Sequence, residues 1–434
     1  MSMNRKTFIR GLGLGAIGAV SGVGLHGKSG ASCATAAMTL PVYGAVSDAE
    51  FWRAVRAQHP LDPALHYMNT GGLGPASNPV LKVFFDTVNA HQFRSDTGHD
   101  TFHHYRDVVA EFFGADSSEI CFTRNATEGN SIIAGGLALN DGDEVIFEDH
   151  AHPGGSGPWY NQRTRRGVIS KLFTPDAESV EENLNRIRAL ITPRTKVIQI
   201  SHVTAPTGIV LPAAEIAQLA REHGLWFHID GAQSAGMFPF DLHAIGCDSY
   251  ATSGHKWLGA PHETGILFIR KERNAEVLPI SAGSYTGPIP GTLPGDGTMG
   301  YVDDATRHEY ATRSAASVAG VAAAVEFHKA IGHARIAKHG LELALHLHAE
   351  LAKIPTVEVL TPTNPALRAS ITTFRTPKLS YSEIFGQLWK DYHFRCRPVS
   401  EQGLDAVRVS THLFNTAEEV EALLAAVHDV VTKA

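Results

Sequence analysis

The chain reads as an α/β protein, with a large domain built on a mostly parallel, doubly wound sheet and a smaller α+β lobe. Three observations predict this. From about Asp116, short apolar runs alternate with stretches of helical periodicity. The polar residues of its most distinctive segments fall at the carboxyl ends of those runs, where ligands bind in such sheets. After about Thr312 the pattern changes to an Ala- and Val-rich helix followed by alternating segments, which marks a second lobe.

With 434 residues the chain is long enough for two lobes around a substantial core. Hydrophobic residues make up 43% and charged residues 19%, as in ordinary globular proteins. A formal net charge of −7 argues against nucleic acid as the main partner, because phosphate binding needs a basic face. The run Arg163-Thr164-Arg165-Arg166 reads as solvated surface.

Residues 1–36 have the regions of an export signal: a basic start through Asn4-Arg5-Lys6-Thr7-Phe8, an apolar stretch from Gly11 to Leu25, and small residues ending in Ala34-Thr35-Ala36. The start is twin-arginine-like, with Lys6 in place of the second arginine. The apolar core is Gly-rich and too short to span a bilayer, so no stable membrane insertion is expected. The expected location is periplasmic, or cytoplasmic if the signal is not used. Of four cysteines Cys33 falls in the signal, leaving Cys121, Cys247 and Cys396 with no C-x-x-C, so buried thiols are expected rather than a disulfide framework.

A helix from Asp48 to Gln58 leads into Tyr67-Met68-Asn69-Thr70-Gly71-Gly72-Leu73-Gly74-Pro75, a Gly-rich loop whose Pro75 is suited to open the next helix. Residues 45–75 are expected to join the small lobe, residues 76–311 to form the large domain and residues 312–434 the small one. Strands are expected at Ile120–Thr123, Glu144–Phe147, Lys196–Val203, Leu225–Asp230, Ser249–Thr252 and Gly265–Ile269. Helices are expected at Thr127–Gly135, Val180–Ile191 and Ala213–His223, then Ala315–Ile331 and Thr416–Thr432, with Thr416 as N-cap. Alternation marks Ala369–Arg375 and Cys396–Ser400.

The chemistry centres on Phe227-His228-Ile229-Asp230-Gly231-Ala232-Gln233 and, 26 positions after Asp230, on Lys256 in Ser253-Gly254-His255-Lys256. Alone, the lysine would read as a surface residue beside Trp257. Asp230, however, ends an apolar strand, where an unpaired carboxylate is costly. Together they form the arrangement expected of an enzyme holding pyridoxal 5′-phosphate (PLP). Lys256 would form the Schiff base, Asp230 would keep the pyridine nitrogen protonated, and Gln233 would donate to the ring hydroxyl oxygen. Ser253 and His255 offer donors for the phosphate. A second phosphate contact is expected where a strand gives way to a helix in Thr123-Arg124-Asn125-Ala126-Thr127-Glu128, from Ala126 and the Thr127 hydroxyl. Thr127 also reads as a plain N-cap. In Glu148-Asp149-His150-Ala151-His152-Pro153 an aromatic ring could stack on the cofactor. His150 and His152, with His103, His104 or His202, are the best metal candidates among 24 histidines, but no ligand spacing supports them and no metal is expected.

These segments resemble the class V aminotransferase family of fold type I PLP enzymes, from about Asn69 to the C-terminus. Ser201-His202-Val203-Thr204-Ala205-Pro206-Thr207-Gly208 is most similar to the isopenicillin N epimerase branch. The resemblance implies a seven-stranded sheet, with Lys256, Asp230 and His150 as catalytic residues. It implies cofactor contacts from Ala126, Thr127, His150, Gln233, Ser253, His255 and Thr312. Arg408 would clamp the substrate carboxylate, near Gly71 and Gly72. Ala311-Thr312 lies where members carry a Gly-Thr pair reaching a neighbouring subunit's phosphate, which implies a homodimer with shared sites.

Cysteine desulfurases of the family need a cysteine on a mobile loop, yet the corresponding region here is Arg397-Pro398-Val399-Ser400-Glu401-Gln402. Ala205 replaces their asparagine beside the cofactor. The expected function is PLP chemistry at the amino-bearing carbon of an amino acid or peptide-like substrate, of the aminotransferase or epimerase type. A carbon–sulfur or β-lyase is the alternative. The export signal fits modification of an exported natural product, as in periplasmic pyoverdine maturation. A catalytically silent scaffold or a metal-binding periplasmic protein is disfavoured by the full set of lysine, aspartate and phosphate segments.

Overall fold

The computed structural model describes residues 40–292 and 295–433. The expected export signal, Cys33 included, lies outside them. A short strand β1 (His66–Tyr67) is followed by β2 (Ile120–Thr123), β3 (Glu144–Glu148), β4 (Ile169–Phe173), β5 (Thr195–Ser201), β6 (Trp226–Asp230), β7 (Ser249–Ser253) and β8 (Gly265–Ile269). The last seven make one sheet in the order β2-β8-β7-β6-β5-β3-β4. Strands β4, β3, β5, β6 and β7 pair in parallel, whereas β8 is antiparallel to both of its neighbours.

Strands β2, β3, β6, β7 and β8 are buried along their whole length, which is why they read as unbroken apolar runs. The seventh strand, β4, is absent from the six read off the sequence. It is an edge strand with polar Ser170 and Lys171 at its centre and Ile169 and Leu172 exposed, so it carries no apolar run. The loop proline also needs correcting. The helix after the Gly-rich loop spans Asn78–Arg94 with Ser77 as N-cap, and the proline in its first turn is Pro79 rather than Pro75.

A second layer holds β9 (Glu358–Val359), β10 (Ile371–Arg375), β11 (Phe394–Arg395), β12 (Arg397–Val399) and β13 (Ala406–Ser410). Its antiparallel sheet runs β12-β13-β10-β9, while β1 pairs with β11 and Asn69 bridges to Ser410. The final helix Ala417–Thr432 begins at Thr416, in a capping box with Glu419. The helix Ala315–Ile331 falls within the expected small lobe, yet its Val318, Val321 and Val325 pack in one core with Val80, Val109 and Phe113. The separate core of the second layer is built from Leu343, Leu347, Leu388, Val407, Val409 and Val427. The change of core therefore comes after Ile331.

Candidate active site

Parallel register gathers the site. Asp230, the last residue of β6, is level with Ser201 at the end of β5 and with Ala251 in β7. Strand β7 ends at Ser253, three residues before Lys256. The Gly-rich loop clamps the lysine backbone: Gly74 N–H donates to His255 O at 2.7 Å, and a Cβ on Gly74 would lie 1.8 Å from Lys256 O. Only glycine allows that approach. The Trp257 carbonyl accepts from His412 Nε2 at 2.7 Å and from His328 Nε2 at 3.2 Å, and its indole N–H donates to Gln233 Oε1 at 2.8 Å. The lysine therefore projects from a fixed loop.

Desolvation draws the Lys256 ammonium down to about 8 from its ordinary 10.5; Asp230 opposes the shift, and the charges of Arg408 and Arg397 add to it. Asp230 accepts from Asn130 Nδ2 at 3.0 Å and from Ala232 N–H at 3.0 Å. A Cβ on Gly155 would lie 2.6 Å from Asp230 Oδ2, so a side chain there would crowd the carboxylate.

The N-terminus of the helix Ala126–Gly136 lies beside β7. Ala126 N–H donates to Ser253 Oγ at 3.0 Å, and Asn125 caps the helix by accepting from Glu128 N–H at 2.9 Å. In this structure the Ala126 N–H is therefore engaged by Ser253, which the expectation for Ala126 did not include. Thr127 is exposed and its Oγ1 would lie 2.4 Å from a Cβ on Gly154, so Thr127 is not the N-cap. His255 Nδ1 is buried without a partner, and desolvation, with the Lys256 charge, pulls its ring down to about 4.

His150 is buried, with Nδ1 3.2 Å from Thr207 Oγ1, and burial lowers its pKa against the pull of Asp149. Gln233 donates from Nε2 to Gly71 O at 2.9 Å, which leaves its second N–H for a ligand. A Cβ on Gly71 would lie 2.7 Å from Gln233 Oε1 and 2.8 Å from Arg408 Nη2. On Gly72 it would lie 2.6 Å from Asn69 Nδ2. Arg408 is 1% exposed and donates to Ala205 O at 2.9 Å and to Asn69 Oδ1 at 3.0 Å. Among the described residues no carboxylate forms an ion pair with it, and desolvation, with the Arg397 charge and against that of Glu401, draws it down to about 9.

A family model described as aminotransferase class-V matches residues 86–423. The chain belongs to this family. It is 29% identical over 396 residues to an isopenicillin N epimerase of Amycolatopsis lactamdurans, covering 87% of this chain and 98% of that one. A probable cysteine desulfurase of Methanothermobacter thermautotrophicus is 28% identical, with 85% of this chain and 95% of the relative covered. Among solved structures, a lysine-to-alanine variant of C-DES with glycine linked to its PLP superposes with a TM-score of 0.78. It is 26% identical and covers 86% of this chain and 99% of its own. A cystine C–S lyase C-DES complex with cysteine persulfide gives a TM-score of 0.75 at 27% identity, over 84% and 97% of the two chains.

PLP is the cofactor of this class V fold, and the residues present fit it. The unpartnered His255 Nδ1, the desolvated lysine and the bare backbone of Gly71 and Gly155, where a side chain would crowd Gln233, Arg408 and Asp230, form a polar cradle that the protein itself leaves unsatisfied. The structure brings together Lys256, Asp230, Gln233, Ser253, His255, Gly71, Gly72 and Arg408. Thr312 stands apart, exposed beside a cavity with Thr123, Arg124, Glu263, Tyr310 and Arg313. Among the described residues no three His, Cys, Asp or Glu side chains converge as metal ligands, and His202 instead faces Ser234 Oγ at 3.0 Å.

Sequence reasoning missed several members of this class V site. Asn130 lies three residues after Thr127, one helical turn along the same face, so that spacing carried a signal. His152 is influenced by Lys256, Asp230, Arg397 and Glu401; desolvation followed by the Lys256 charge lowers its pKa. Arg397 and Glu401 come from a distant part of the chain, and no local pattern marks them.

Proposed function

We propose that this protein works at the amino-bearing carbon of an amino acid or peptide-like substrate as an epimerase or aminotransferase, with PLP linked to Lys256. One observation carries the reading: Lys256, Asp230 and Arg408 surround one site with no thiol available to it. Cys121, Cys247 and Cys396, the cysteines among the described residues, are all buried, and desolvation pushes the Cys396 thiol up to about 12. A persulfide route needs a thiolate and is unsupported.

Bound PLP supplies an electron sink for the bonds of the amino-bearing carbon. Asp230, aligned by Asn130, would hold the pyridine nitrogen, and Gln233 would meet the ring hydroxyl. Ser253, His255 and Thr127 would meet the phosphate, and His150 would stack on the ring. Arg408 binds the substrate carboxylate as a rigid fork. With a pKa of about 8, Lys256 Nζ can release and regain a proton near neutral pH. His152, whose pKa burial and the Lys256 charge lower, lies near enough to feel Lys256 and Asp230 and would be the second proton carrier that inversion at carbon needs. The likeness to isopenicillin N epimerase supports that outcome.

The likeness to C-DES supports a second reading, a carbon–sulfur lyase. The experiment loads purified protein with PLP, follows its visible band, and incubates it with amino acids in D2O. Deuterium at the α-carbon with inversion or amino transfer is expected. Sulfide release from cystine without inversion would establish the lyase instead. The twin-arginine-like start and Thr312 further lead us to propose an exported homodimer. Cell fractionation and sedimentation test these two points, with a cytoplasmic monomer as the contrary result.

A further inference from the structure

Arg397 and Arg408 stand directly opposite each other across the antiparallel pair of β12 and β13. Side chains so paired have Cβ atoms about 4.5–5.5 Å apart, and like charges there repel. Both charges act on Lys256, so the pair borders the site described above. Neither guanidinium has its full set of acceptors. Arg408 gives its terminal nitrogens to two neutral oxygens and leaves Nε buried without a partner. Arg397 gives Nη2 to Glu401 Oε1 and leaves Nη1 buried without a partner. Buried donors of this kind are normally satisfied, so acceptors are due from a ligand.

Charge sharpens the point. Two guanidinium groups face the single carboxylate of Glu401, and an amino acid brings one more for Arg408. Glu401 is held by a strained turn. It begins a short turn, Glu401–Gly403, in which Gln402 has φ +51° and Gly403 φ +67°, followed by Asp405 at φ +48°. Left-handed backbone at Gln402 and Asp405 is strained. Exposed Gln402 ties the turn down by donating to Asp149 O at 2.7 Å.

We propose that Arg397 recognises a second anionic group on the substrate, and that Glu401 occupies that group's place until the substrate displaces it. The substrate class is then an amino acid or peptide-like molecule with a side-chain carboxylate in addition to the one beside its amino group. With both bound, two guanidinium groups meet two substrate carboxylates and Glu401 turns to solvent. This rests on the reading of Lys256 as the PLP lysine.

The test titrates the PLP-loaded enzyme by visible absorbance with L-glutamate and L-aspartate, and with their uncharged counterparts L-norvaline and L-2-aminobutyrate. Wild type is expected to bind the acidic member of each pair at least about tenfold more tightly. Arg397→Met should bring that ratio to about one, and Glu401→Gln should raise it about tenfold further by removing the resident competitor's charge. A ratio near one in both wild type and Glu401→Gln overturns the proposal. So does an Arg397→Met variant that weakens both members of a pair equally, or a visible band that none of the four shifts. Absence of any visible band after PLP addition defeats the PLP reading itself, a result distinguishable from these.

Discussion

Asn130 donates its side-chain N–H to Asp230 Oδ2 at 3.0 Å, and every hydrogen bond behind it points the same way. Trp226 Nε1–H donates to Ser249 Oγ at 2.9 Å, Ser249 Oγ lies 2.8 Å from His228 Nδ1, and His228 Nε2 lies 2.8 Å from Asn130 Oδ1. A carboxylate only accepts, so Asn130 turns its amide N–H to Asp230 and its Oδ1 to His228, which places a proton on His228 Nε2. Burial, which pushes His228 down to about 3, keeps the ring neutral. The chain aligns Asp230 from behind.

Asn130→Ala would strand Asp230 Oδ2 and His228 Nε2, both in buried side chains. A loss of about 2–4 kcal/mol in stability is expected from two orphaned partners. If the chain positions Asp230 for the cofactor, the Kd for PLP also rises about tenfold, or about 1.4 kcal/mol. Urea unfolding of the apo protein and a PLP titration measure the two effects separately. Lower stability with an unchanged Kd would reduce the chain to a packing role.

Lys256 gives a stability prediction with a definite sign. Its folded pKa of about 8 lies below the ordinary 10.5, so the unfolded chain binds more protons between those values and stability rises with pH there. Below pH 8 the destabilisation is complete. The shift corresponds to about 3 kcal/mol, discounted to about 1–2 kcal/mol for a half-buried side chain. Lys256→Met should therefore stabilise the apo protein at pH 7 and lose that advantage by about pH 10. The same gain at both pH values would show that packing, not charge, is responsible.

The strands that carry chemistry were legible because burial on both faces writes them as apolar runs. Asp230 and Lys256 were legible because a charged residue at such a place needs a reason. Strand β4 was hidden by its edge position, which lets polar residues interrupt it. Arg397 was hidden by distance: it meets Arg408 only through the pairing of β12 with β13, and nothing nearby in sequence records that register. Thr127 and Ala126 show a subtler limit. The helix start was placed within one residue, but whether its N–H groups are free depended on Ser253, which lies 127 positions from Ala126.

Acid should unfold the protein early. Burial pulls His59, His202 and His328 down to about 4 and His228 to about 3, against an ordinary value of 6.5. As pH falls from 6.5 towards 4 the unfolded chain takes up protons that these folded rings refuse, so stability present above 6.5 is progressively lost. Each ring costs about 3 kcal/mol by pH 4. Four of them together rival a domain's whole stability of about 5–15 kcal/mol, so unfolding is expected between about pH 4 and 5. Circular dichroism melts from pH 7 to 4.5 check this, and a Tm unchanged across that range would contradict it.

Arg408 separates binding from structure. Its guanidinium is buried and hydrogen-bonded to neutral acceptors, with only the charge of Glu401, which Arg397 already holds, to offset it. Arg408→Ala removes the guanidinium charge, and the apo protein should therefore keep its Tm within a few degrees. Loss of a charge-assisted fork should weaken amino-acid binding by about a hundredfold while the Kd for PLP moves less than about threefold. Arg408→Lys should recover little, because a single ammonium cannot hold Ala205 O and Asn69 Oδ1 while presenting a planar pair of donors. Titrating the visible band with amino acids, beside a separate PLP titration, gives both constants. Equal losses in the two would mean that Arg408 holds β13 against the Asn69 loop, and that the substrate carboxylate binds elsewhere.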